Sequence, residues 1–423
     1  MKMILFFVIL TLINADGTYA FDDNGKLHDI PTPTGIYVLN EASNEQSTNT
    51  AYASGLTSAS AYEKDITGQA IFVPIAKILP RITRWEQLDW DWTYLDTLVQ
   101  VAVSHNKKFS VELETGFQSS TTFLNSLPDA FAATCGADCA PLFDVWVTGG
   151  SGGRCISAYV LLPWILKVQE FWQRAAYALA AHLRETGVYE SLTLIHVPGL
   201  SVYDEEIRLP TGNPAPDADD KCPDGRFAES PDFAVSSDAA SSRWQTLGYS
   251  DAAVIDGFSA IATAFAHAFP DRFLALSLFN PGPHGIDFPN LTNDPVGYVA
   301  SEIVQEVTAI APGRVQLQSD NLDSNFAQPE VLNLATRYGD SIGWQTNKHA
   351  ETGAGCGGGG AGSCSSDGPN SPYFLLLQNG AVNGGEYLEV WSNDVVNYPQ
   401  SFAAVNSAGL YKVDDDDSTE QRW

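Results

Sequence analysis

The sequence predicts an α/β protein of the (β/α)8-barrel class. Three observations carry that prediction. Short β-type runs alternate with helical stretches along the whole chain, the runs number eight, and 423 residues with 44% hydrophobic content suffice for one large core. Strands that alternate with helices form a parallel sheet, and eight of them suit closure into a barrel. A doubly wound open sheet is the alternative arrangement of the same elements.

The elements follow in order. Gly35 to Leu39 reads as the first strand and Ala70 to Ile75 as the second, with a short helix between them over residues 56 to 65. Leu95, Leu98, Val99 and Ala102 recur at helical spacing and predict a helix from Trp92 to Ser104. Phe109 to Leu113 is the third strand, followed by an irregular, cysteine-bearing segment to Leu162. From Pro163, which suits a first helical turn, one apolar face runs through Ile165, Val168, Phe171, Trp172, Ala175, Leu179 and Leu183 until Gly187. Leu192 to Val197 is the fourth strand and precedes a long polar loop. A helix over Ala252 to Phe269 leads to the fifth strand, Phe273 to Phe279. Val299 to Ile310 is helical, and Arg314 to Gln318 is the sixth strand. A helix from Pro329 to Tyr338 precedes the seventh strand, Ser341 to Gln345. A short helix over Tyr373 to Ala381 precedes the eighth, Tyr387 to Trp391.

The first twenty residues read differently. Lys2, an apolar run from Ile4 to Ile13 and the small-residue exit Thr18-Tyr19-Ala20 have the order of a secretory signal. The run is about half the roughly 20 residues that span a bilayer. The expectation is cleavage after Ala20, leaving one barrel domain over residues 21–423, secreted and without a membrane anchor. Export makes disulfides the expected state of Cys135, Cys139, Cys155, Cys222, Cys356 and Cys364, in the loops after strands three, four and seven. A local bridge between Cys356 and Cys364 would close a glycine-rich stretch, and one between Cys155 and Cys222 would tie two long irregular segments together. Asn290-Leu291-Thr292 is a glycosylation sequon.

Acidic residues outnumber basic ones by 51 to 22, for a formal charge of −29. That field repels a phosphate backbone and excludes nucleic acid as a partner. It suits a neutral polymer such as a polysaccharide, and equally an acidic surface adapted to salty water. No cofactor or metal is expected: the glycines at 357–360 do not join a strand to a helix with a following lysine, and Asp320-x-x-Asp323 lacks the ligand density of a calcium loop. The Gly-x-Ser-x-Gly match at Gly149-Gly150-Ser151-Gly152-Gly153 lies inside the irregular segment after strand three and does not join a strand to a helix as a nucleophile elbow does.

In barrels the reacting groups sit at the carboxyl ends of the strands. Those positions carry Glu114 after strand three, Glu205 and Glu206 after strand four, Asn280 and His284 after strand five, and Asp320 after strand six. Gln345 and His349 follow strand seven, with Trp344 just before; Glu389 and Trp391 lie on strand eight. Carboxylates, amides and indoles together suit sugar binding, since rings stack on indoles while polar groups take the hydroxyls. Glu114 is a candidate substrate contact that shares a strand face with Glu112; His196, inside an apolar strand, reads as a hydrogen-bonded core histidine. Trp344 and Trp391 read as stacking platforms or as buried packing.

Three passages resemble the clan A glycoside hydrolases, retaining (β/α)8 enzymes, and among them β-galactosidase-like and cellulase-like barrels. They are Trp85-Glu86-Gln87-Leu88-Asp89-Trp90-Asp91-Trp92-Thr93-Tyr94-Leu95-Asp96, Lys107-Lys108-Phe109-Ser110-Val111, and Glu206-Ile207-Arg208-Leu209-Pro210. The resemblance implies hydrolysis of glycosidic bonds by two carboxylates, with Glu206 where the clan carries its acid/base. Two departures stand out. No asparagine precedes Glu206, and strand seven ends Gly343-Trp344-Gln345-Thr346-Asn347 where the clan carries a glutamate nucleophile. Glu389 is then the first choice for the second carboxylate and Glu351 the other. Glu205 is less suited, because adjacent residues on an extended backbone point opposite ways. A charge centred in Tyr-Leu-Glu-Val-Trp is either functional or paired beneath the site. The function expected is that of a secreted glycoside hydrolase acting on a poly- or oligosaccharide; the alternatives are a non-catalytic carbohydrate-binding barrel and another barrel enzyme such as a polysaccharide lyase.

Overall fold

The computed structural model describes residues 30, 32–39, 64–114, 142–149, 154–198, 207, 213–214, 227–229, 247–278, 298–324, 327–346 and 366–411. Twelve strands occur among them: β1 (Gly35–Leu39), β2 (Gly68–Pro74), β3 (Lys108–Glu114), β4 (Leu142–Gly149), β5 (Arg154–Leu161), β6 (Leu192–His196), β7 (Asn213–Pro214), β8 (Phe227–Glu229), β9 (Phe273–Ser277), β10 (Val315–Leu322), β11 (Ser341–Thr346) and β12 (Tyr387–Trp391). Eight of these close into a barrel in the order β1-β12-β11-β10-β9-β6-β3-β2. Every pairing around the ring is parallel, including the closing contact of Gly35 with Tyr387 and the contact of Tyr37 with Gly68. The eight are the strands expected from the sequence, in chain order, so the closed barrel stands and the open sheet does not.

Helices cover the outside: α1 (Ile75–Ile78), α2 (Thr93–Ser104), α3 (Leu166–Glu185), α4 (Asp251–Ala268), α5 (Tyr298–Ile310), α6 (Pro329–Tyr338), α7 (Pro372–Val382), α8 (Ser392–Asn397) and α9 (Pro399–Ser407). Their ends follow from local chemistry. Ser250 caps α4 by accepting from the Ala253 amide at 3.2 Å, and Ser371 caps α7 through Phe374 at 3.0 Å. Pro329 begins α6, and Gly339 ends it with a left-handed φ of 76°.

Strand alternation divides the core in two. Ile36, Val38, Ile71, Val73, Val111, Ile195, Leu274, Leu317 and Leu388 face the helices and pack with α2 to α7. Tyr37, Leu39, Ala70, Phe72, Leu194, Phe273, Ala275 and Tyr387 face inward and fill part of the lumen. Filled in this way, the barrel is a packed core rather than a pore.

Two features correct the sequence expectation. The segment after β3, read as irregular, contains β4 and β5, which pair antiparallel along their whole length. β8 joins β4 in parallel, Val145 opposite Phe227, and β7 adds to β8, giving a second sheet of four strands in the order β5-β4-β8-β7. This sheet joins the insertion after the third barrel strand to the one after the fourth. Cys155 lies on β5, while Cys135, Cys139, Cys222, Cys356 and Cys364, the other cysteines of the disulfide expectation, lie outside the described residues. Second, α8 and α9 follow β12 where no helix was expected. Asp367 accepts from the amides of Gln400 at 2.9 Å and Ser401 at 2.8 Å and so holds the first turn of α9. The short helix expected over 56 to 65 falls almost wholly outside the described residues.

Candidate active site

Glu389 is the third residue of β12, opposite Tyr37 on one side and Gln345 on the other. It is fully buried and shares its inward face with Tyr387 two residues earlier. The Tyr387 hydroxyl donates to Glu389 Oε1 at 2.5 Å. Burial, and then the negative charge of Glu389, push the Tyr387 phenol well above its ordinary range, so it stays a donor. The same hydroxyl lies 2.8 Å from Ser110 Oγ on β3, across the lumen, and the Tyr37 ring sits 4.4 Å from the Tyr387 ring.

On the far side of the lumen, His196 ends β6, and its Nε2 lies 3.4 Å from Glu389 Oε1. Both side chains are within 1% of complete burial. Oε1 of Glu389 therefore accepts a hydrogen bond from Tyr387 and lies at ion-pair distance, outside hydrogen-bond geometry, from His196 Nε2, while Oε2 has no hydrogen-bond partner among the described residues. Leaving a buried polar atom without one costs about 1–3 kcal/mol, which marks the position as more than packing.

Strand β3 supplies further carboxylates. Ser110 reaches Tyr387, so Glu112 and Glu114, two and four residues on, share its inward face. Val111 pairs with Ile195, so Glu112 and His196 come next to each other at the following step, on strands roughly 4.8 Å apart. Glu114 closes β3 at the carboxyl end of the barrel and is buried.

Amides line the opposite wall. Gln318 donates to Gln316 at 2.8 Å on β10. Gly343 of β11 leaves them room, since a Cβ there would come within 2.8 Å of both side chains. Gln345 follows on the same inward face, 7% exposed. Asp320, also 7% exposed, lies where the register of β10 against β11 slips between Ser319 and Leu322. Trp391 packs on the lumen cluster at the end of β12, and its indole nitrogen donates to the Thr346 carbonyl at 3.0 Å.

The structure thus brings together Glu114, Gln345, Glu389 and Trp391 of the residues expected from the sequence, with Asp320 at the end of the amide wall. It places Trp344 elsewhere. Because Gly343 and Gln345 face inward, Trp344 faces out, fully buried between the barrel and α7. A Cβ at Gly385 would strike its indole at 2.2 Å and one at Gly380 would lie 3.3 Å away, so two glycines make its pocket. Trp344 belongs to the core and offers no stacking surface to a sugar. Glu205, Glu206, Asn280, His284, His349 and Glu351 lie outside the described residues. Tyr387 and the lumen-facing role of His196 were missed. The available signal was the period of two that ties Tyr387 to Glu389 and Ser110 to Glu112 and Glu114. Among the described residues no group of three His, Cys, Asp or Glu side chains is spaced to hold a metal ion.

No family model matches the chain, and no curated protein matches it. Solved structures are similar to it at low identity. The intracellular xylanase TsXylA from Thermoanaerobacterium saccharolyticum, in complex with xylotriose, is 10% identical with a TM-score of 0.41, over 85% of each chain. A GH5-4 broad specificity endoglucanase from an uncultured bacterium is 9% identical with a TM-score of 0.46, over 89% of this chain and 94% of that one. A GH10 protein from Paenibacillus barcinonensis is 9% identical with a TM-score of 0.38, over 85% of this chain and 83% of its own.

Proposed function

We propose that this chain is a secreted glycoside hydrolase that cleaves O-glycosidic bonds of a poly- or oligosaccharide with paired carboxylates. The observation that carries the reading is the inward carboxylate of Glu389, held at one oxygen by Tyr387 and facing His196, with Glu112 and Glu114 on the same lumen. Glycoside cleavage needs one carboxylic acid to protonate the leaving oxygen and a second carboxylate toward the anomeric carbon. Glu389 is the second carboxylate in this reading. Glu206, in the segment after β6, is the acid, on the strength of its resemblance to the clan A acid/base position. Trp391, Gln345 and Asp320 bind the sugar ring and its hydroxyls. A separation of about 5 Å between the two carboxyls would give retention, and roughly 6.5–9.5 Å would leave room for water and give inversion.

The test is a screen of the purified protein on plant, algal and microbial glycans for release of reducing ends. Glu389→Gln and Glu206→Gln are each expected to lower the rate about 10²- to 10⁴-fold while leaving the fold intact by circular dichroism. Full activity in Glu389→Gln removes it from the mechanism. A non-catalytic binding barrel is the second reading, favoured by the amide Gln345 at the end of β11; glycan binding without release on any substrate would select it. Secretion rests on the first twenty residues. The exported protein is expected to begin at Phe21 on amino-terminal sequencing, and retention of Met1 to Ala20 would refute it.

A further inference from the structure

His196 is buried in the lumen, beside a carboxylate on each of two elements. Across the lumen it meets Glu389 at 3.4 Å, with Tyr387 behind that carboxylate. On the neighbouring strand β3 the ladder brings Glu112 next to it, and on β9 its register partner is the uncharged Ala275. Glu389 is held at Oε1 alone, while the equally buried Oε2 has no hydrogen-bond partner among the described residues. A buried ion pair seldom stabilises a fold more than apolar packing would, and apolar packing is what the same lumen uses at Leu194, Phe273 and Ala275. The asymmetry between the two oxygens is what a carboxylate needs when one oxygen is fixed and the other is left for a ligand.

We propose that His196 is a positioning residue of this site: with Tyr387 it fixes Oε1 of Glu389 across the lumen, so that Oε2 is the oxygen presented to substrate. The inference rests on the glycosidase reading above for its kinetic consequence, and on geometry alone for the pairing. Protonated, the imidazole bridges β6 and β12 and sets the direction of the carboxylate. Without it Glu389 keeps its tyrosine but, among the described residues, is free to turn about that hydrogen bond. An orientation error of this kind lowers the rate of the chemical step more than the binding of the sugar.

Two measurements separate the pairing from the reaction. In the full chain labelled at its seven histidines, the His196 ring nitrogens are followed by NMR across pH, assigned by their loss in His196→Gln. The ring is expected to deprotonate at a pH about one unit or more lower in Glu389→Gln than in the unsubstituted protein. Identical titration in the two overturns the pairing whether or not any glycan is cleaved. On a substrate found by the glycan screen, His196→Phe is expected to lower kcat about 10²-fold with KM changed less than about threefold, and to move the acidic limb of the pH–rate profile. His196→Gln, which keeps a donor, is expected to recover part of that loss. A variant with lowered Tm but unchanged kcat and pH profile would make His196 a structural residue and sink the proposal. If no glycan is cleaved, the glycosidase reading falls and the NMR comparison decides the pairing alone.

Discussion

Asp340 shows how one side chain can hold stability that depends on pH. It lies in the turn between α6 and β11, where Thr308 of α5 donates to its Oδ2 at 2.9 Å. Burial raises its pKa from 3.8 to about 6, against the opposing effect of that hydrogen bond. The folded state therefore holds a proton between about pH 4 and 6 that the unfolded chain has released. The resulting stability is present below that window and is lost as pH rises through about 6. Asp340→Asn keeps an acceptor for Thr308 and removes the buried charge. It is expected to stabilise the protein by about 1 kcal/mol at pH 8, a figure discounted for a carboxyl that water still reaches, and by nothing near pH 4. Thermal melts of both proteins at the two pH values would show it; an equal gain at both would mean that charge is not the cause. The pairing of Asp340 with Thr308 was not legible in the sequence, because the two residues sit on different elements. Glu389 was legible, because a charge inside an apolar strand has to have a partner or a task.

Among the elements, α4 carries a contact that helix propensity argues against. Gly257 sits in its interior, where alanine would favour the helix by about 1 kcal/mol. A Cβ there would come within 2.4 Å of the Pro163 carbonyl oxygen and 2.8 Å of the Trp164 amide nitrogen, both backbone atoms at the entry to α3. The two helices approach closely because this position has no side chain. Gly257→Ala is expected to destabilise the protein by about 1–3 kcal/mol despite its better propensity, read from the denaturant midpoint. A stabilised variant would show that the contact yields. The barrel strands and most helices were legible because their signals are local: apolar runs of strand length, and apolar spacing of three and four. The sheet of β4, β5, β7 and β8 was not. Val145 finds Phe227 across some eighty residues of chain, and the Gly149-Gly150-Ser151-Gly152-Gly153 connection reads as loop whatever its flanks do. The pair α8 and α9 escaped for a different reason, since each is short and one begins directly at the end of β12.

The whole molecule carries a formal charge of −29, and repulsion among its acidic groups opposes the compact state. Raising sodium chloride from about 20 mM to about 500 mM shortens the screening length several-fold and is expected to raise Tm by a few degrees. A Tm independent of salt would mean that the charges are spread too widely to interact. What the sequence by itself determined is the class of fold, the order of its eight barrel strands and the crowding of carboxylates and amides at their ends. These follow from periodicities of two and 3.6 that each segment carries alone. What only the tertiary structure decided is which of those groups meet. Ser110 reaches Tyr387 across 277 residues of sequence, His196 reaches Glu389, and Trp344 turns away into the helices. Contacts across a lumen depend on the closure and stagger of the whole ring, and no single strand encodes them.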